Sequence, residues 1–136
     1  MLRCLIVDDS PRFLAAARGL LEREGITVVG VASTSAQALQ QAQQLRPDVT
    51  LVDIDLGGQS GLELARRLHQ QQAGSVASRV ILISTHAQQD YADLIAASPA
   101  VGFLAKASLS ASAIHALLDR EDDSDPGGRV SGSPGR

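Results

Sequence analysis

The stretch LVDIDLGGQSG, residues 51–61, ends a short apolar run in two carboxylates, Asp53 and Asp55, and continues into a pair of glycines. An apolar run without polar alternation is typical of a strand that is covered on both faces of a parallel sheet. An unpaired carboxylate at the end of such a strand is costly to desolvate. The two acids therefore indicate a functional site at the end of the strand, or else a helix cap or a solvated turn.

Short apolar runs alternate with segments of helical periodicity over most of the chain, which is the pattern of βαβ units around a parallel sheet. The predicted strands cover residues 3–7, 26–32, 49–52, 80–83 and 102–105. Five helices are predicted. The first begins at Pro11, the second begins after candidate caps at 33–35, and the other three cover residues 62–71, 88–97 and 109–118. Five such repeats favour an α/β fold of the flavodoxin-like (βα)5 class, a doubly wound sandwich with a five-stranded parallel sheet in the order 2-1-3-4-5.

The composition narrows the class of protein. The chain has 136 residues, of which 44% are hydrophobic, and this suits one globular domain. The net charge of -3 argues against nucleic-acid binding by this segment, because phosphate contacts need clustered Lys and Arg. The single cysteine, Cys4, excludes an internal disulfide and is expected to lie buried in the first strand. Because neither a membrane-spanning apolar run nor a signal-peptide pattern occurs, we expect a cytoplasmic protein that does not engage a membrane.

The composition changes after Arg120, where the sequence EDDSDPGGRVSGSPGR is rich in glycine, proline, serine and charge. Such a segment buries too little apolar surface to fold by itself. We therefore expect a folded domain over residues 1–120 and a disordered tail or linker over residues 121–136.

Polar side chains follow four of the predicted strands. They are Asp8 and Asp9 after the first, Asp53 after the third, Ser84 and Thr85 after the fourth, and Lys106 after the fifth. Because the first and third strands are neighbours in the predicted order, three carboxylates converge at the sheet edge where ligands of such folds bind. At ~5 Å and an effective dielectric constant near 20, each carboxylate pair would repel by about 3 kcal/mol. We therefore expect a hard divalent cation there, Mg²⁺ or Mn²⁺.

The same side chains suit a phosphoryl group. Lys106 would supply mobile positive charge, and Ser84 a hydroxyl that can bond an oxyanion. Asp53 is positioned to act as a nucleophile that forms an acyl phosphate. Taken singly, Asp8 and Asp9 are also consistent with helix capping, Ser84 with a cap of the next segment, and Lys106 with a solvated lysine. Their joint position at strand ends favours a site.

Four stretches carry a family resemblance, and they are CLIVDDSPRFLAAARGLLE, VTLVDIDLGGQSGLELARRL, VILIST and VGFLAKAS. Together they resemble the receiver domain of two-component response regulators over about residues 1–120, and they are most similar to receivers of the NarL/LuxR type. The resemblance implies a switch that accepts a phosphoryl group on Asp53 from a sensor histidine kinase or a small phosphodonor. It implies no enzymatic activity beyond assistance to its own phosphorylation and dephosphorylation.

The resemblance also implies a Mg²⁺ site at the acids. Asp9 and Asp53 correspond to direct ligands, the backbone carbonyl of Asp55 to a third ligand, and Asp8 to a residue that acts through water. The side chain of Asp55 is expected to tune how long the phosphoryl group survives.

The switch residues implied by the resemblance are Ser84, whose hydroxyl responds to phosphorylation, and Phe103, whose ring swings inward with it. Lys106 corresponds to the lysine that pairs with the phosphoryl group. The surface formed by the fourth helix, fifth strand and fifth helix would then change shape, and it would serve a homodimer or an output partner. Receivers of this type usually carry a helix-turn-helix output domain, so a DNA-binding domain in a longer parent chain is also implied.

The sequence departs from the family pattern at two loops, and it leaves two alternatives open. Gly57 stands where the family commonly has proline, which predicts a more pliable loop, and Ala107 replaces a proline that often follows the lysine. One alternative is a haloacid-dehalogenase-like phosphatase, because Asp53 and Asp55 mimic its DxD motif. The other is a receiver-like docking module that works without phosphorylation and need not bind metal.

Thr85 occupies a position where the family often has a smaller residue, so its branched side chain is expected to crowd access to Asp53. We predict slower phosphorylation by small phosphodonors in the wild-type chain than in the Thr85→Ala variant. Initial rates of phosphorylation test this, and equal rates would contradict it.

Overall fold

A computed structural model describes residues 2–71, 79–85 and 91–123 of the chain. In chain order, its elements are β1 (Arg3–Val7), α1 (Pro11–Arg23), β2 (Thr27–Ala32), α2 (Ser35–Leu45), β3 (Val49–Asp53), β4 (Asp55–Leu56), β5 (Gln59–Ser60), α3 (Gly61–Gln71), β6 (Arg79–Ser84), α4 (Ala92–Ala96), β7 (Gly102–Ala105) and α5 (Ala111–Asp123). No helix in these described ranges has the length and apolar character needed to cross a membrane.

The main sheet has the order β2-β1-β3-β6-β7, and each pair of neighbouring strands is parallel. Numbered among themselves, these strands follow the order 2-1-3-4-5, so the predicted flavodoxin-like topology is confirmed. The strand bounds agree with the sequence prediction to within one or two residues at each end, because continuous apolar runs mark buried parallel strands clearly.

Helices cover both faces of the sheet, and the side chains of β1 show how the two cores divide. Cys4 and Ile6 pack with apolar residues of α1 and α5, whereas Leu5 and Val7 pack with those of α2 and α3. Alternate residues of a strand point to opposite faces, so one strand serves both cores. Cys4 is fully buried as predicted, and burial raises the pKa of its thiol to about 12.

The last helices differ from the prediction at their ends. α5 begins at Ala111 rather than at residue 109, because Ser110 caps it: the Ser110 Oγ accepts a hydrogen bond from the backbone NH of Ala113. The backbone of α5 continues through Asp123, beyond the expected domain end at residue 120. Residues 124–136 lie outside the described residues, as do 86–90 at the predicted start of α4.

The loop after β3 forms a small antiparallel hairpin of β4 and β5 that the sequence analysis did not predict. Gly57 and Gly58 form its turn with φ of 51° and 93°, and such a pair of positive angles is typical of a type I′ turn. Gly61 then starts α3 directly against β3, since its backbone NH donates to the carbonyl of Ile54 at 2.8 Å. A Cβ on Gly61 would overlap the backbone carbonyl of Asp53.

Gly61→Ala is expected to lower the free energy of unfolding by about 2 kcal/mol, because the added methyl meets backbone that cannot move aside. Gly19→Ala, inside α1, is the matched control: the nearest atom to its added Cβ would be a flexible arginine nitrogen at 3.4 Å. The free energy of unfolding of this control variant should rise by about 0.5–1 kcal/mol, because alanine has a higher helix propensity than glycine. Urea unfolding measures both, and a Gly61→Ala variant as stable as wild type would contradict the prediction.

Candidate functional site

The carboxyl ends of β1 and β3 bring three acids together. These strands are neighbours, with Val7 paired to Val52, so the residues that follow them lie side by side. One carboxylate oxygen from each of Asp8, Asp9 and Asp53 lies within 4.8 Å of the other two. Asp8 is fully buried and Asp53 is 5% exposed, whereas Asp9 is exposed. The predicted convergence of the three carboxylates is therefore present.

The ammonium of Lys106 reaches this cluster from the end of β7. Its Nζ lies 2.5 Å from Oδ2 of Asp8 and 3.2 Å from Oδ2 of Asp53, so one positive charge is shared between two buried carboxylates. The contact with Asp53 is also a hydrogen bond. The contact with Asp8 is a short ion pair to a fully buried oxygen.

Backbone amides fix the other oxygen of each buried acid. Oδ1 of Asp8 accepts a hydrogen bond from the NH of Ser10 at 2.8 Å. Oδ1 of Asp53 accepts one from the NH of Asp55 at 3.2 Å. In both residues Oδ1 is thus held by the chain while Oδ2 faces Lys106. The two Oδ2 atoms are therefore the carboxylate oxygens that no backbone amide of the described residues holds.

The electrostatics of the site follow from burial and from this shared charge. Burial raises the pKa of the Asp53 carboxyl above its usual value, and the charge of Asp8 raises it further, against the opposing effects of the Asp55 NH and Lys106. Burial alone would lower the pKa of the Lys106 ammonium, but Asp8 and Asp53 outweigh it and the pKa is raised. Lys106 therefore stays charged at neutral pH.

The donor set fits a hard divalent cation. Three carboxylates lie around a common space and carry more negative charge than one ammonium balances. The loop of Gly57 closes over the exposed acid, since a Cβ on Gly57 would stand 2.7 Å from Oδ2 of Asp9. These residues could hold Mg²⁺ or Mn²⁺, and carboxylate oxygens are ligands that both ions accept.

The other predicted residues lie around this cluster. Ser84 is buried at the end of β6 and pairs in register with Ala105, the residue before Lys106. Phe103 is buried on the α2 and α3 side of the sheet, opposite Leu82 of β6. Thr85 and Asp55 are exposed.

One neighbour of the site, Phe13, is not among the residues predicted from the sequence. Its ring packs against the apolar core on the α1 side of the sheet. The same ring also lies below the ammonium of Lys106, with Nζ at 4.5 Å from its centroid. The available signal was its position in the first turn of the helix that follows Asp8 and Asp9.

Asp53→Asn is expected to raise the free energy of unfolding of the metal-free chain near pH 7. In the variant Lys106 faces one buried carboxylate, whereas in the wild type two buried carboxylates share its single charge. The folded-state pKa of Asp53 lies above the ordinary 3.8, so its charged form weakens the fold above that pKa. The stability difference between Asp53→Asn and the wild type should shrink as the pH falls through the folded-state pKa of Asp53. It should vanish below pH 3.8, where wild-type Asp53 is protonated in both the folded and the unfolded chain.

Urea unfolding at several pH values in the presence of a chelator measures this difference. Asp119→Asn on the exposed surface of α5 is the matched control, and it should change the free energy of unfolding by no more than about 0.5 kcal/mol. An Asp53→Asn variant less stable than wild type at neutral pH would contradict the expectation.

Comparison with known proteins gives consistent matches. A family model, the response regulator receiver domain, matches residues 4–119. A putative transcriptional regulator of Pseudomonas aeruginosa is 35% identical over 106 residues, which are 78% of this chain and 50% of that protein. The DNA-binding transcriptional activator EvgA of Escherichia coli is 28% identical over 77% of this chain and 50% of its own length. The chain thus spans about half the length of these curated relatives.

Solved structures agree with the sequence matches. The signal receiver domain of the putative response regulator NarL from Mycobacterium tuberculosis aligns with a TM-score of 0.74 at 30% identity, over 89% of this chain and 96% of that chain. A two-component response regulator of the LuxR family from Aurantimonas aligns with a TM-score of 0.75 at 26% identity, over 89% and 85% of the two chains. With a family match over most of its length and the topology of these structures, the chain belongs to the receiver domain family of response regulators.

Proposed function

We propose that Asp53 is the phosphoacceptor of this receiver domain, and that it takes a phosphoryl group from a sensor histidine kinase or a small phosphodonor. One observation carries this proposal. Oδ1 of Asp53 is tied to the backbone NH of Asp55, while Oδ2 faces the partly buried ammonium of Lys106. A single carboxylate oxygen is thereby held toward the positive charge that an incoming phosphoryl group needs.

In this proposal Asp9, Asp53 and the backbone carbonyl of Asp55 are the direct metal ligands, and Asp8 acts through water. When bound, Mg²⁺ or Mn²⁺ neutralises charge on the carboxylates and on the oxygens of the phosphoryl group. The cluster supports this because three carboxylates lie together while one ammonium pairs with two of them, which leaves excess negative charge.

The transfer itself uses groups of this chain. Oδ2 of Asp53 forms a bond to phosphorus as the bond between phosphorus and the donor breaks, and the donor leaves with that electron pair. Lys106 then moves from the carboxylate to an oxygen of the transferred group, because the negative charge has moved there. The Asp55 NH keeps Oδ1 in place, so the acyl phosphate forms with little rearrangement of the backbone.

The switch uses Ser84 and Phe103. Ser84 turns its hydroxyl to the phosphoryl oxygens, and Phe103 moves into the space this leaves. The register supports the coupling, because Ser84 pairs with Ala105 and Leu82 pairs with Phe103 across β6 and β7. The phosphoryl charge selects one of two arrangements of the surface formed by α4, β7 and α5. Thr85 and the side chain of Asp55, both exposed at the mouth, tune access and lifetime.

The relatives support the proposed partners. Two of them are named as a transcriptional regulator and a DNA-binding activator, and this chain matches half of each. In our proposal the domain, which includes α5 through Asp123, works in the cytoplasm, and the predicted tail or linker follows it. A longer parent chain would carry a DNA-binding output domain, while this segment itself binds no nucleic acid. The surface of α4, β7 and α5 would form a homodimer, and Leu94 of α4 is an exposed apolar residue on it, 55% exposed.

The test is covalent labelling. The wild-type chain, incubated with acetyl phosphate and Mg²⁺, should gain one phosphoryl group that hydroxylamine removes, as expected for an acyl phosphate. Asp53→Asn should gain none, and a chelator should prevent the gain in wild type. Asp119→Asn, an equal change of charge on the exposed surface of α5, should label like wild type.

Intact-protein mass spectrometry measures the label, and circular dichroism shows that each variant is folded. Stoichiometric labelling of Asp53→Asn would overturn the assignment. Steady turnover of a generic phosphate ester would instead favour the phosphatase alternative. Failure of the wild-type chain to bind Mg²⁺ would favour the docking module.

A further inference from the structure

The ammonium of Lys106 has an aromatic ring beneath it as well as two carboxylates beside it. Its Nζ lies 4.5 Å from the centroid of the Phe13 ring, within the roughly 6 Å over which a ring face attracts a cation. The Lys106 side chain is only 15% exposed. Such a contact is stronger where water is excluded, so the ring belongs to the immediate surroundings of this charge.

The chain fixes the position of the ring relative to the acids. Ser10 is the N-cap of α1: its Oγ accepts a hydrogen bond from the NH of Phe13 at 3.2 Å. The NH of the same serine donates to Oδ1 of Asp8 at 2.8 Å. Pro11 begins the helix between them, and its ring restricts the backbone there. One short turn therefore holds both Asp8 and Phe13 against Lys106.

The core holds the ring from below. Phe13 is partly buried and packs against the apolar cluster between the sheet, α1 and α5. The backbone hydrogen bond and the packing against the core both restrain the ring, whereas the lysine above it has four side-chain methylene groups that can rotate. The attraction extends over the ring face to about 6 Å from the centroid, so the ammonium can shift over that face without losing the contact.

We propose that Phe13 is a positioning residue for Lys106 in phosphoryl transfer, and this rests on the proposed role of Asp53 as acceptor. The lysine must exchange its carboxylate partner for a phosphoryl oxygen when the group arrives. The ring keeps the ammonium within reach during this exchange, when the carboxylate contacts are being lost. Without the ring face, Lys106 samples more positions in water and meets the phosphoryl group less often.

The experiment compares Phe13→Leu, which keeps an apolar side chain without a ring, with Phe13→Tyr, which keeps the ring face. Initial rates of phosphorylation by acetyl phosphate are measured at saturating Mg²⁺, in the wild-type and in the Lys106→Met background. We expect Phe13→Leu to be about three to ten times slower than wild type, and Phe13→Tyr to stay within about twofold. In the Lys106→Met background, Phe13→Leu should cause no further loss.

The second background separates positioning from packing. If Phe13 acts through packing alone, Phe13→Leu will slow phosphorylation by the same factor in both backgrounds, and that result would overturn the inference. Equal rates for Phe13→Leu and wild type would also overturn it. Phe13→Met is the substitute if Phe13→Leu does not fold, because it too is apolar and lacks a ring. Labelling of Asp53 in wild type, but not in Asp53→Asn, is measured in the same series. If the wild-type chain is not labelled there, the proposed function falls together with the inference; if it is labelled and Phe13 has no effect, only the inference falls.

Discussion

The structure depends on one ammonium shared between two buried carboxylates. Lys106 contacts Asp8 and Asp53 together, while Asp9 adds a third negative charge at the rim. Burying charges costs several kcal/mol for each ion in typical proteins, and unequal numbers of opposite charges leave part of this cost unmet. The site is therefore short of positive charge. A bound cation would supply the missing positive charge, and Lys106 would pair with the negative charge of a phosphoryl group. Metal binding and phosphoryl transfer therefore depend on the same cluster of charges.

The fold holds the acidic side chains of the site close together. Adjacent parallel strands, β1 and β3, end at the same edge and leave Asp8 and Asp53 side by side. Backbone amides of Ser10 and Asp55 each occupy one oxygen, so neither acid can turn away from Lys106. The first turns of the following segments thus orient the acids, and the sheet only brings them near. A protein with the same strands and different turns would bring the acids together without aiming them.

The sequence was sufficient for the sheet and for the members of the cluster, for one physical reason. Apolar runs mark buried strands, and the carboxyl ends of parallel strands meet, so the amino-acid sequence alone groups Asp8, Asp53 and Lys106. The contact of Phe13 with Lys106 could not be predicted, because helical periodicity gives the face of a residue but not what lies above its ring. The late start of α5 was missed because Ser110 looks like any loop serine until its hydroxyl is seen to cap the helix.

The loop at Gly57 shows what a departure from the family pattern does to the backbone. Glycine stands where the family commonly has proline, and the chain there forms the turn of the β4–β5 hairpin. Gly57 has φ of 51°, whereas the ring of proline fixes φ near −65°, so proline cannot occupy this backbone. The space beside it is also closed, since a Cβ would meet the carboxylate of Asp9. Glycine here allows a two-residue turn whose backbone approaches an acid of the site more closely than any side chain would allow.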